Sequence, residues 1–276
     1  MLSLKNYDTP DLQSNKALVS IIMPCYNSEN YISDSIRSVI KQTYNNWELL
    51  ICDDDSSDRS LSISKRFAEL DHRITVVKNV YEKGAPGARN SCLDAASGRY
   101  IAFLDSDDLW LSGKLEEQIA FMKENQIAFS YSYHELMDEN GKFLGACKAP
   151  NQVSSKTMRL SNFIPCLTAV YDSNILSKVY QPKIKKRNDY ALWLKILNGG
   201  VVDKAYCLPK VTAKYRVNQY GLSSNRSSAI KYFRRCLVEF GECSNITSFY
   251  FCFLYLCVVL VKKKFLSLYN KIVVFI

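Results

Sequence analysis

The sequence has very few histidines and no paired cysteine motif. His72 and His134 are the only histidines among 276 residues, and none of the ten cysteines lies in a Cys-X-X-Cys pair. A structural zinc centre and a histidine-based catalytic triad therefore have little support, which leaves the chemistry to carboxylates. The sequence also shows no N-terminal apolar signal segment, so we expect reduced thiols and a cytosolic location.

Charge is unevenly distributed along the chain. Residues 1–177 carry 18 Lys and Arg against 23 Asp and Glu, a net charge of −5, whereas residues 178–276 carry 18 against 4, a net charge of +14. A basic C-terminal third favours an anionic membrane surface or a phosphate-rich ligand as partner. Nucleic acid is the rival interpretation, and we expect no nucleic-acid partner.

The hydrophobic pattern predicts one α/β domain with two additions. We expect a polar leader at 1–17, a domain at 18–220 and a basic, apolar helical tail at 221–276. The domain divides into two halves, 18–135 and 136–220, and in the second the pattern weakens to loops and short strands. Apolar content of 47% supplies ample core material.

Strands and helices are predicted to alternate through the first half. The expected strands are 19–23, 48–52, 74–77, 100–104 and 128–133. The expected helices are one with Ile32, Ile36, Val39 and Ile40 on one face, then 60–70, 87–96, 114–125 and, in the second half, 189–197. Such alternation predicts a Rossmann-like, mostly parallel sheet covered by helices.

The tail contains the apolar run 246–261, in which only Thr247 and Ser248 are polar, followed by three lysines at 262–264. Its length lies between that of a core helix and that of a bilayer span. Three interpretations stay open: an in-plane or re-entrant membrane anchor, a true span, and a helix packed on the domain. The closing run 265–276 is also apolar, which favours some membrane contact.

Two clusters of aspartates follow predicted strands. They are Asp53-Asp54-Asp55 and Asp105-Ser106-Asp107-Asp108. Ligands of open α/β sheets bind outside the carboxyl ends of the strands, so these acids are expected to converge on one crevice. We therefore expect a shared site for a nucleotide and a divalent cation.

The first strand ends in Pro24-Cys-Tyr26, and Tyr26 is placed to stack on a nucleobase, or else to close the core as a rim tyrosine. After the second strand, a carboxylate can accept the imide N–H of uracil or bind a ribose hydroxyl. The alternative is helix capping by Ser56, Ser57 or Asp58. A calcium loop is disfavoured because its glycine and distal glutamate are missing.

Asp105 and Asp107 flank one small residue, an arrangement that suits Mg²⁺ or Mn²⁺ bound by one or two carboxylates and by substrate phosphate oxygens. Such a cation neutralises the charge that develops on a diphosphate leaving group. The alternative is an acidic turn that caps the helix near Lys114.

Together these motifs resemble the inverting nucleotide-sugar glycosyltransferases of family 2, which have the GT-A fold. The resemblance covers roughly residues 18–216. It rests on four ordered motifs: Val19-Ser-Ile-Ile-Met-Pro24-Cys-Tyr26-Asn27, Ile51-Cys-Asp53-Asp54-Asp55-Ser56-Ser57-Asp58, Ala88-Arg89-Asn90 with Ser97-Gly98-Arg-Tyr-Ile-Ala-Phe-Leu-Asp105-Ser-Asp107-Asp108, and Asn188-Asp189-Tyr190-Ala-Leu-Trp193.

The resemblance implies that 18–135 is a nucleotide-binding half, which holds the donor site, and that 136–220 is an acceptor-side half. Pro24 and Tyr26 would line the uracil pocket, and Asp54 would bond the base with Asp53 beside it. Asp105 and Asp107 would form the metal-binding Asp-X-Asp motif for Mn²⁺ or Mg²⁺, with Asp107 as the direct ligand. Glu29 matches an acid common in the first motif.

Asp189 matches the general base, which removes the acceptor hydroxyl proton during attack on the anomeric carbon. Trp193, one turn later, would supply an apolar wall that raises the pKa of that carboxylate. The family usually has Glu where this chain has Asn188. The alternative for Asp189 is that it only caps its helix.

Two further matches to the family give weaker support for a functional role. Arg216, in Tyr215-Arg216, would approach the diphosphate, with a surface salt bridge as the equal alternative. Arg89, in Ala88-Arg89-Asn90, would contact substrate, although packing or capping explains it as well.

The expected function is transfer of a sugar from a UDP-sugar to a glycan acceptor linked to a polyprenyl diphosphate. This would take place at the cytoplasmic face of a bacterial inner membrane, in O-antigen, capsule or exopolysaccharide assembly. The alternatives are a sugar nucleotidyltransferase, whose glycine-rich basic loop is missing here, and a catalytically silent nucleotide- or glycan-binding relative.

Overall fold

The structure is a computed structural model that describes residues 16–217 and 226–276. The predicted polar leader at 1–17 lies outside these residues except for its last two positions. The first part of the domain, up to residue 103, alternates strands and helices as the hydrophobic pattern predicts. Its elements are β1 (Val19–Cys25), α1 (Ile32–Ile40), β2 (Trp47–Asp53), α2 (Ser60–Leu70), β3 (Ile74–Lys78), α3 (Ala85–Ala95) and β4 (Tyr100–Phe103).

The part of the domain after β4 is built from longer strands at its centre and short elements around them. Its elements are β5 (Leu109–Trp110), α4 (Lys114–Glu124), β6 (Phe129–Met137), β7 (Phe143–Cys147), β8 (Gln152–Ser154), α5 (Ser155–Met158), β9 (Val170–Asp172), α6 (Ser173–Leu176), α7 (Asn188–Leu197) and β10 (Lys204–Arg216). Three helices form the tail: α8 (Arg226–Glu239), α9 (Asn245–Lys264) and α10 (Leu266–Ile272).

The ten strands of the described residues all belong to one mixed sheet, whose order is β3-β2-β1-β4-β9-β6-β10-β5, with β7 on β6 and β8 on β10. Strands β1 to β4 pair in parallel, as predicted, and so do β6 and β10. The remaining pairs are antiparallel, with β9 between β4 and β6. An α/β fold with flanking helices is therefore confirmed.

The pattern analysis assigned no strand to the thirteen residues of β10. This strand contains Pro209, which has no backbone N–H to donate, and its register with β6 shifts between Leu208 and Val211. Such an interruption breaks the alternation that marks a strand in sequence. Tertiary pairing on both sides, with β6 and with β5 or β8, makes the strand.

Side chains that alternate along the strands fill two cores, one on each face of the sheet. Ile21 and Met23 of β1 belong to the core beneath α1, whereas Ile22 belongs to the core that contains Trp193 of α7. On α1, Ile32, Ile36 and Val39 are buried as predicted, but Ile40 is 36% exposed. Ile40 lies one turn after Ile36 on the same face, as predicted, and it is exposed because the helix ends there, at the rim of the core.

The tail contributes to the same core as α7. Phe233 of α8, Tyr255 of α9 and Tyr269 of α10 are all buried in the cluster that contains Trp193. The expected boundary near residue 220 falls outside the described residues. Within those residues, α9 is the one helix that is long and apolar enough to cross a membrane by length and composition, and 17% of its most apolar window is buried.

Candidate active site

The carboxyl ends of three neighbouring parallel strands bring the predicted site residues to one edge of the sheet. Cys25 of β1 pairs with Asp53 of β2, and Ile22 pairs with Phe103 of β4. Adjacent strands are about 4.8 Å apart. The loops that follow also touch: the Ser28 hydroxyl lies 2.8 Å from the Ser106 hydroxyl.

Pro24 and Tyr26 occupy different environments. Pro24 is buried inside β1, opposite Cys52, whereas 53% of Tyr26 is exposed. The Lys83 ammonium lies 5.4 Å from the centre of the Tyr26 ring. Tyr26 therefore does not close the core, and its ring is accessible to a planar ligand.

Asp54 holds a loop with both carboxylate oxygens. One accepts a hydrogen bond of 2.7 Å from the Asn79 side chain, and the other accepts one of 2.7 Å from the Gly84 N–H. Gly84 has φ +130°, a left-handed value that other residues rarely adopt, so glycine lets its N–H point at Asp54. The base-binding role predicted for Asp54 stays a prediction.

Asp53 and Glu29 also stabilise the loops of this edge. One oxygen of Asp53 accepts from the Ser56 N–H at 3.0 Å, and the other is buried without a partner among the described residues. Glu29 accepts from the backbone and side chain of Arg59, whose hydrogen bonds hold the pKa of Glu29 below its ordinary value. Glu29 thus ties the loop after β1 to the start of α2.

Helix capping by Ser56, Ser57 or Asp58, the alternative for the motif after β2, is observed only in part. Arg59 occupies the N-cap position of α2, and no side chain caps the helix there. Asp58 nevertheless accepts hydrogen bonds of 2.9 Å from the backbone N–H groups of Glu29 and Ser60. Asp58 therefore fixes the loop while Asp53 and Asp54 face the strand edge.

Arg89 connects the two predicted acidic sites. Its guanidinium is buried and donates to Asp105 at 2.5 Å and to Asn188 at 2.7 Å. Asn188 begins α7 and immediately precedes Asp189, whose carboxylate accepts a 2.7 Å hydrogen bond from the Asn162 side chain. One side chain thus spans the distance between the predicted metal motif and the start of the predicted base helix.

Asp107 lies in an environment that disfavours its charge. Burial raises the pKa of Asp107 to about 6, and the neighbouring charge of Asp105 adds to the increase. Burial likewise raises the pKa of Asp108, which accepts a 2.8 Å hydrogen bond from the Arg216 N–H. The turn does not cap α4, because Gly113 is the N-cap residue and no side chain caps that helix. The capping alternative is therefore wrong.

The carboxylates of Asp105 and Asp107 fit a divalent cation. The described residues contain no group of three or more His, Cys, Asp and Glu side chains that could hold a metal alone. Mg²⁺ and Mn²⁺ need only one or two carboxylates when substrate phosphate oxygens complete the coordination. A cation beside Asp105 and Asp107 would also offset the repulsion that raises the pKa of Asp107.

Arg216 is buried rather than exposed, so the surface salt-bridge alternative is wrong. Its guanidinium donates to the backbone carbonyls of Asp107, Asp138 and Glu139 at 2.8, 3.2 and 2.7 Å, and lies 4.4 Å from the centre of the Tyr31 ring. Arg216 therefore fixes the backbone of the acidic turn. Its predicted approach to a diphosphate stays a prediction.

The start of α7 is unusual. Arg187 occupies the N-cap position with φ 57°, and no side chain caps the helix, so Asp189 is not a helix cap. Trp193 lies in the core, with its ring 5.5 Å from Phe103 and 5.3 Å from Phe129, and its N–H donates to the Ile164 carbonyl at 3.1 Å. The apolar wall predicted for Asp189 stays a prediction.

Sequence reasoning named Arg89 as a substrate contact but missed its connecting role, and it missed Asn79 and Asn162 altogether. Arg89 carried a weak signal, since it is the only long side chain in the first turns of a helix of small residues. Asn79 and Asn162 carried none, because their partners lie 25 and 27 positions away.

Comparisons with known proteins agree with this geometry. A family profile described as glycosyl transferase family 2 matches residues 20–184. The Escherichia coli UDP-Glc:alpha-D-GlcNAc-diphosphoundecaprenol beta-1,3-glucosyltransferase WfgD is 43% identical over 248 residues, which are 90% of this chain and 96% of that protein.

Two solved structures share the fold. Staphylococcus aureus TarS, residues 1–349 in complex with UDP, superposes with a TM-score of 0.62 at 21% identity, covering 91% of this chain and 74% of that one. The mannosyltransferase PcManGT from Pyrobaculum calidifontis, in complex with GDP-Man and Mn²⁺, gives 0.65 at 16% identity, covering 94% and 79%.

Proposed function

The chain belongs to glycosyl transferase family 2, and we propose that it is an inverting transferase that moves a sugar from a UDP-sugar to a polyprenyl-diphosphate-linked glycan. The observation that carries the proposal is the buried Arg89, which joins Asp105 at the end of β4 to Asn188 beside Asp189. A donor bound at the strand edge and an acceptor bound at α7 would therefore meet at Arg89.

The donor site is assigned to the loops after β1 and β2. The exposed ring of Tyr26 would stack on uracil, with Pro24 beneath the loop and Asp53 and Asp54 at the base edge. The name of the relative WfgD specifies UDP-Glc as its donor, which supports a UDP-sugar for this chain. Glu29 and Arg216 would act by fixing the loops that face the diphosphate.

The proposed reaction uses Asp189 as general base. The acceptor hydroxyl gives its proton to the Asp189 carboxylate while its oxygen forms a bond to the anomeric carbon. The bond between that carbon and the diphosphate oxygen breaks, UDP leaves with the electron pair, and the configuration inverts. Asn162 and the Asn188–Arg89 contact would hold the carboxylate in position during this step.

Asp105 and Asp107 would hold Mn²⁺ or Mg²⁺. The cation, when bound, supplies charge neutralisation at the departing diphosphate. The likeness to the PcManGT complex with Mn²⁺ extends to the fold, and the residue pair here has the donor chemistry that such a cation needs. Chelation with EDTA should remove transfer, and added Mn²⁺ should restore it. Full activity in EDTA would contradict the assignment of both residues.

We further propose that α9 lies along an anionic membrane surface. One face of the helix is buried through Ser248, Cys252 and Tyr255. The opposite face exposes large apolar side chains: Ile246, Phe249, Tyr250, Phe253, Leu256 and Leu260. A helix with one packed face and one exposed apolar face suits an in-plane anchor better than a span, and lysines 262–264 at its end suit anionic headgroups.

The expected location is the cytoplasmic face of the inner membrane. All ten cysteines are free thiols, which suits a reducing compartment. The name of WfgD specifies a diphosphoundecaprenol-linked acceptor, which supports a membrane-bound substrate here. The product would enter assembly of O-antigen, capsule or exopolysaccharide.

A direct test uses purified protein, Mn²⁺, a panel of UDP-sugars and a synthetic GlcNAc-diphosphate carrying a long alkyl chain. We expect UDP release and a glycosylated product with one donor, with inverted anomeric configuration by NMR. Release of pyrophosphate from a nucleoside triphosphate would instead identify a nucleotidyltransferase. Binding of UDP without any product would identify a silent relative.

Membrane binding is tested separately by flotation with vesicles that contain anionic lipid. The double substitution F249S/F253S should abolish flotation, because it removes two exposed rings from α9. Leu70→Ser is the matched control, since Leu70 is 76% exposed on α2, away from the tail. Equal flotation of the double variant and the control would rule out this surface.

A further inference from the structure

A cavity of about 880 Å³ opens beside the proposed active site. Its walls are the loop at 80–84, the first turn of α3, the segment 181–185 and Arg235 of α8. None of the residues assigned to the donor or the cation lines it: Tyr26, Asp53, Asp54, Asp105 and Asp107 are all absent from its walls. The cavity is therefore a separate compartment from the proposed nucleotide site.

Two contacts connect this cavity to the donor site. Lys83, in its wall, forms an ion pair of 2.8 Å with Asp55, and the N–H of Gly84 donates to Asp54. On the other side, the segment 181–185 leads within four residues to Asp189. A ligand in the cavity would therefore lie between the loop at 80–84, which contacts Asp54 and Asp55, and the start of α7, which carries the proposed base.

Gln181 indicates that the cavity binds a polar ligand. Its backbone is fixed by Asn90, which accepts from the Gln181 N–H at 2.8 Å and donates to the Gln181 carbonyl at 3.2 Å. Its side chain is 4% exposed, and both the oxygen and the nitrogen of the amide are buried without a partner among the described residues. A buried amide with neither bond made is destabilising. Both amide atoms are closed to solvent in this conformation, so the side chain has to turn toward the cavity before a hydroxyl or phosphate group of a ligand there can satisfy them.

The charge of the walls selects an anion. Four cationic side chains line the cavity against one acid, Glu82, and they are Lys83, Lys183, Lys185 and Arg235. The first turn of α3, an eleven-residue helix, adds the partial positive charge of a helix N-terminus.

Three of the four cations form ion pairs that a ligand can replace. Lys183 pairs with Glu82 at 2.7 Å, and the two side chains are 80% and 75% exposed. Such exposed pairs contribute little stability, so an anion can exchange for the carboxylate. Lys185 is exposed and makes no ion pair within residues 16–217 and 226–276. The cavity thus has positive charge available for a diphosphate.

We propose that this cavity binds the sugar diphosphate headgroup of the lipid-linked acceptor, with Lys185, Lys183 and Arg235 at the diphosphate and the Gln181 amide at the first sugar. The inference rests on the proposed function and names the subsite of its acceptor. Arg235 comes from α8, which packs against the membrane helix α9 through Phe233 and Tyr255 at 4.3 Å between ring centres. A lipid emerging beside α9 would therefore reach the cavity from the tail side.

The experiment compares two acceptor analogues that carry the same alkyl chain. One has GlcNAc linked through a diphosphate, and the other has GlcNAc linked through a single oxygen. We expect wild-type protein to prefer the diphosphate analogue in kcat/KM. Lys185→Ala and Gln181→Met should each raise the KM for the diphosphate analogue by about tenfold, the effect of one lost hydrogen bond to a charged group. Lys65→Ala, which removes an equally exposed lysine from α2, is the matched control.

Folding and the donor site are measured in parallel. Gln181→Met should keep or raise the thermal midpoint, since it removes two unsatisfied polar atoms. Unchanged preference in both variants would overturn the proposal. So would a tenfold loss of UDP affinity in either variant, because the cavity would then serve the donor.

Failure of the proposed function itself gives a different result. In that case the wild-type protein transfers sugar to neither analogue. Calorimetric titration of the diphosphate analogue into UDP-saturated protein then tests whether the cavity binds this ligand, independently of sugar transfer. Binding by wild type that is lost in Lys185→Ala and kept in Lys65→Ala supports the cavity, and equal heats in all three proteins reject it.

Discussion

Arg89 lies with its guanidinium 2.5 Å from a carboxylate oxygen of Asp105, and both belong to the edge of the sheet where β1, β2 and β4 end. Its other terminal nitrogen reaches Asn188, 99 positions away in the sequence. Burial disfavours the guanidinium charge, but Asp105 and other nearby acids hold the pKa of Arg89 above its ordinary value. The acids of the proposed site therefore compensate the buried charge of this arginine.

The first prediction concerns this ion pair. The Arg89 side chain is 5% exposed and the Asp105 side chain is 32% exposed. Arg89→Met leaves this partly buried carboxylate without its partner, so it should lower the free energy of unfolding by about 1–3 kcal/mol. Urea denaturation followed by circular dichroism measures the loss. Arg37→Met is the control, since Arg37 pairs with Asp34 on the surface and both side chains are more than half exposed. Equally small losses of unfolding free energy in the two variants would show that the Arg89–Asp105 pair stabilises the fold no more than a surface ion pair does.

The second prediction concerns the general base. Asp189→Asn keeps the size of the side chain and its place next to Asn162 but cannot take a proton, so transfer should fall by about 100- to 10,000-fold. UDP affinity, measured by calorimetry, should not change. Asp203→Asn, at an exposed acid after α7, is the control. Transfer by Asp189→Asn at the rate of the control would exclude Asp189 as the base.

The third prediction concerns the link between the tail and α7. Arg187, in a left-handed conformation, donates to the Ala229 carbonyl at 3.1 Å and to the Tyr255 hydroxyl, and its guanidinium lies 4.9 Å from the Tyr255 ring centre. Tyr255→Phe removes one of these bonds just before Asn188 and Asp189. We expect kcat to fall several-fold with the donor KM unchanged.

Tyr250→Phe is the matched control for that variant. Tyr250 lies on the same helix but is 61% exposed, so the same hydroxyl is lost without a contact to α7. Vesicle flotation of Tyr255→Phe should equal that of the wild type, because Tyr255 belongs to the packed face of α9. If both variants had the same kcat as wild type, the tail would not position the base helix.

The fourth prediction concerns pH and Lys114. This lysine is fully buried, donates to Gln118 at 2.7 Å and lies 4.5 Å from the Trp110 ring centre, and burial lowers its pKa to about 7. Between pH 7 and about 10.5 the unfolded chain binds the proton and the folded chain does not, so stability contributed by this group rises with pH.

The comparison with Lys114→Met isolates this effect. From pH 7 to 10, the unfolding free energy of the wild type should rise relative to that of Lys114→Met. The rise should be up to about 1.4 kcal/mol per pH unit. Lys123→Met, at an exposed lysine of the same helix, should show no such slope. A flat difference for Lys114→Met would mean that the buried amine stays protonated.

The sequence by itself determined the first half of the fold and the edge at which the site lies. Hydrophobic period and turn residues are local properties, and they placed β1 to β4 and their helices within a few residues of the observed ends. The same pattern placed Tyr26, Asp53 and Asp105 just beyond those strands. In a parallel sheet, residues that follow adjacent strands lie close together, so local information was sufficient.

Only the tertiary structure decided what connects these residues. The bonds from Arg89 to Asn188 and from Asn162 to Asp189, and the packing of Tyr255 against Arg187, join positions separated by 27 to 99 residues. The unsatisfied amide of Gln181 is a property of the cavity around it. Hydrophobic periodicity predicts which face of a helix or strand is buried. It does not predict which side chain, distant in the sequence, packs against that face. Long-range packing sets those pairs, and with them the proposed meeting point of donor, base and acceptor.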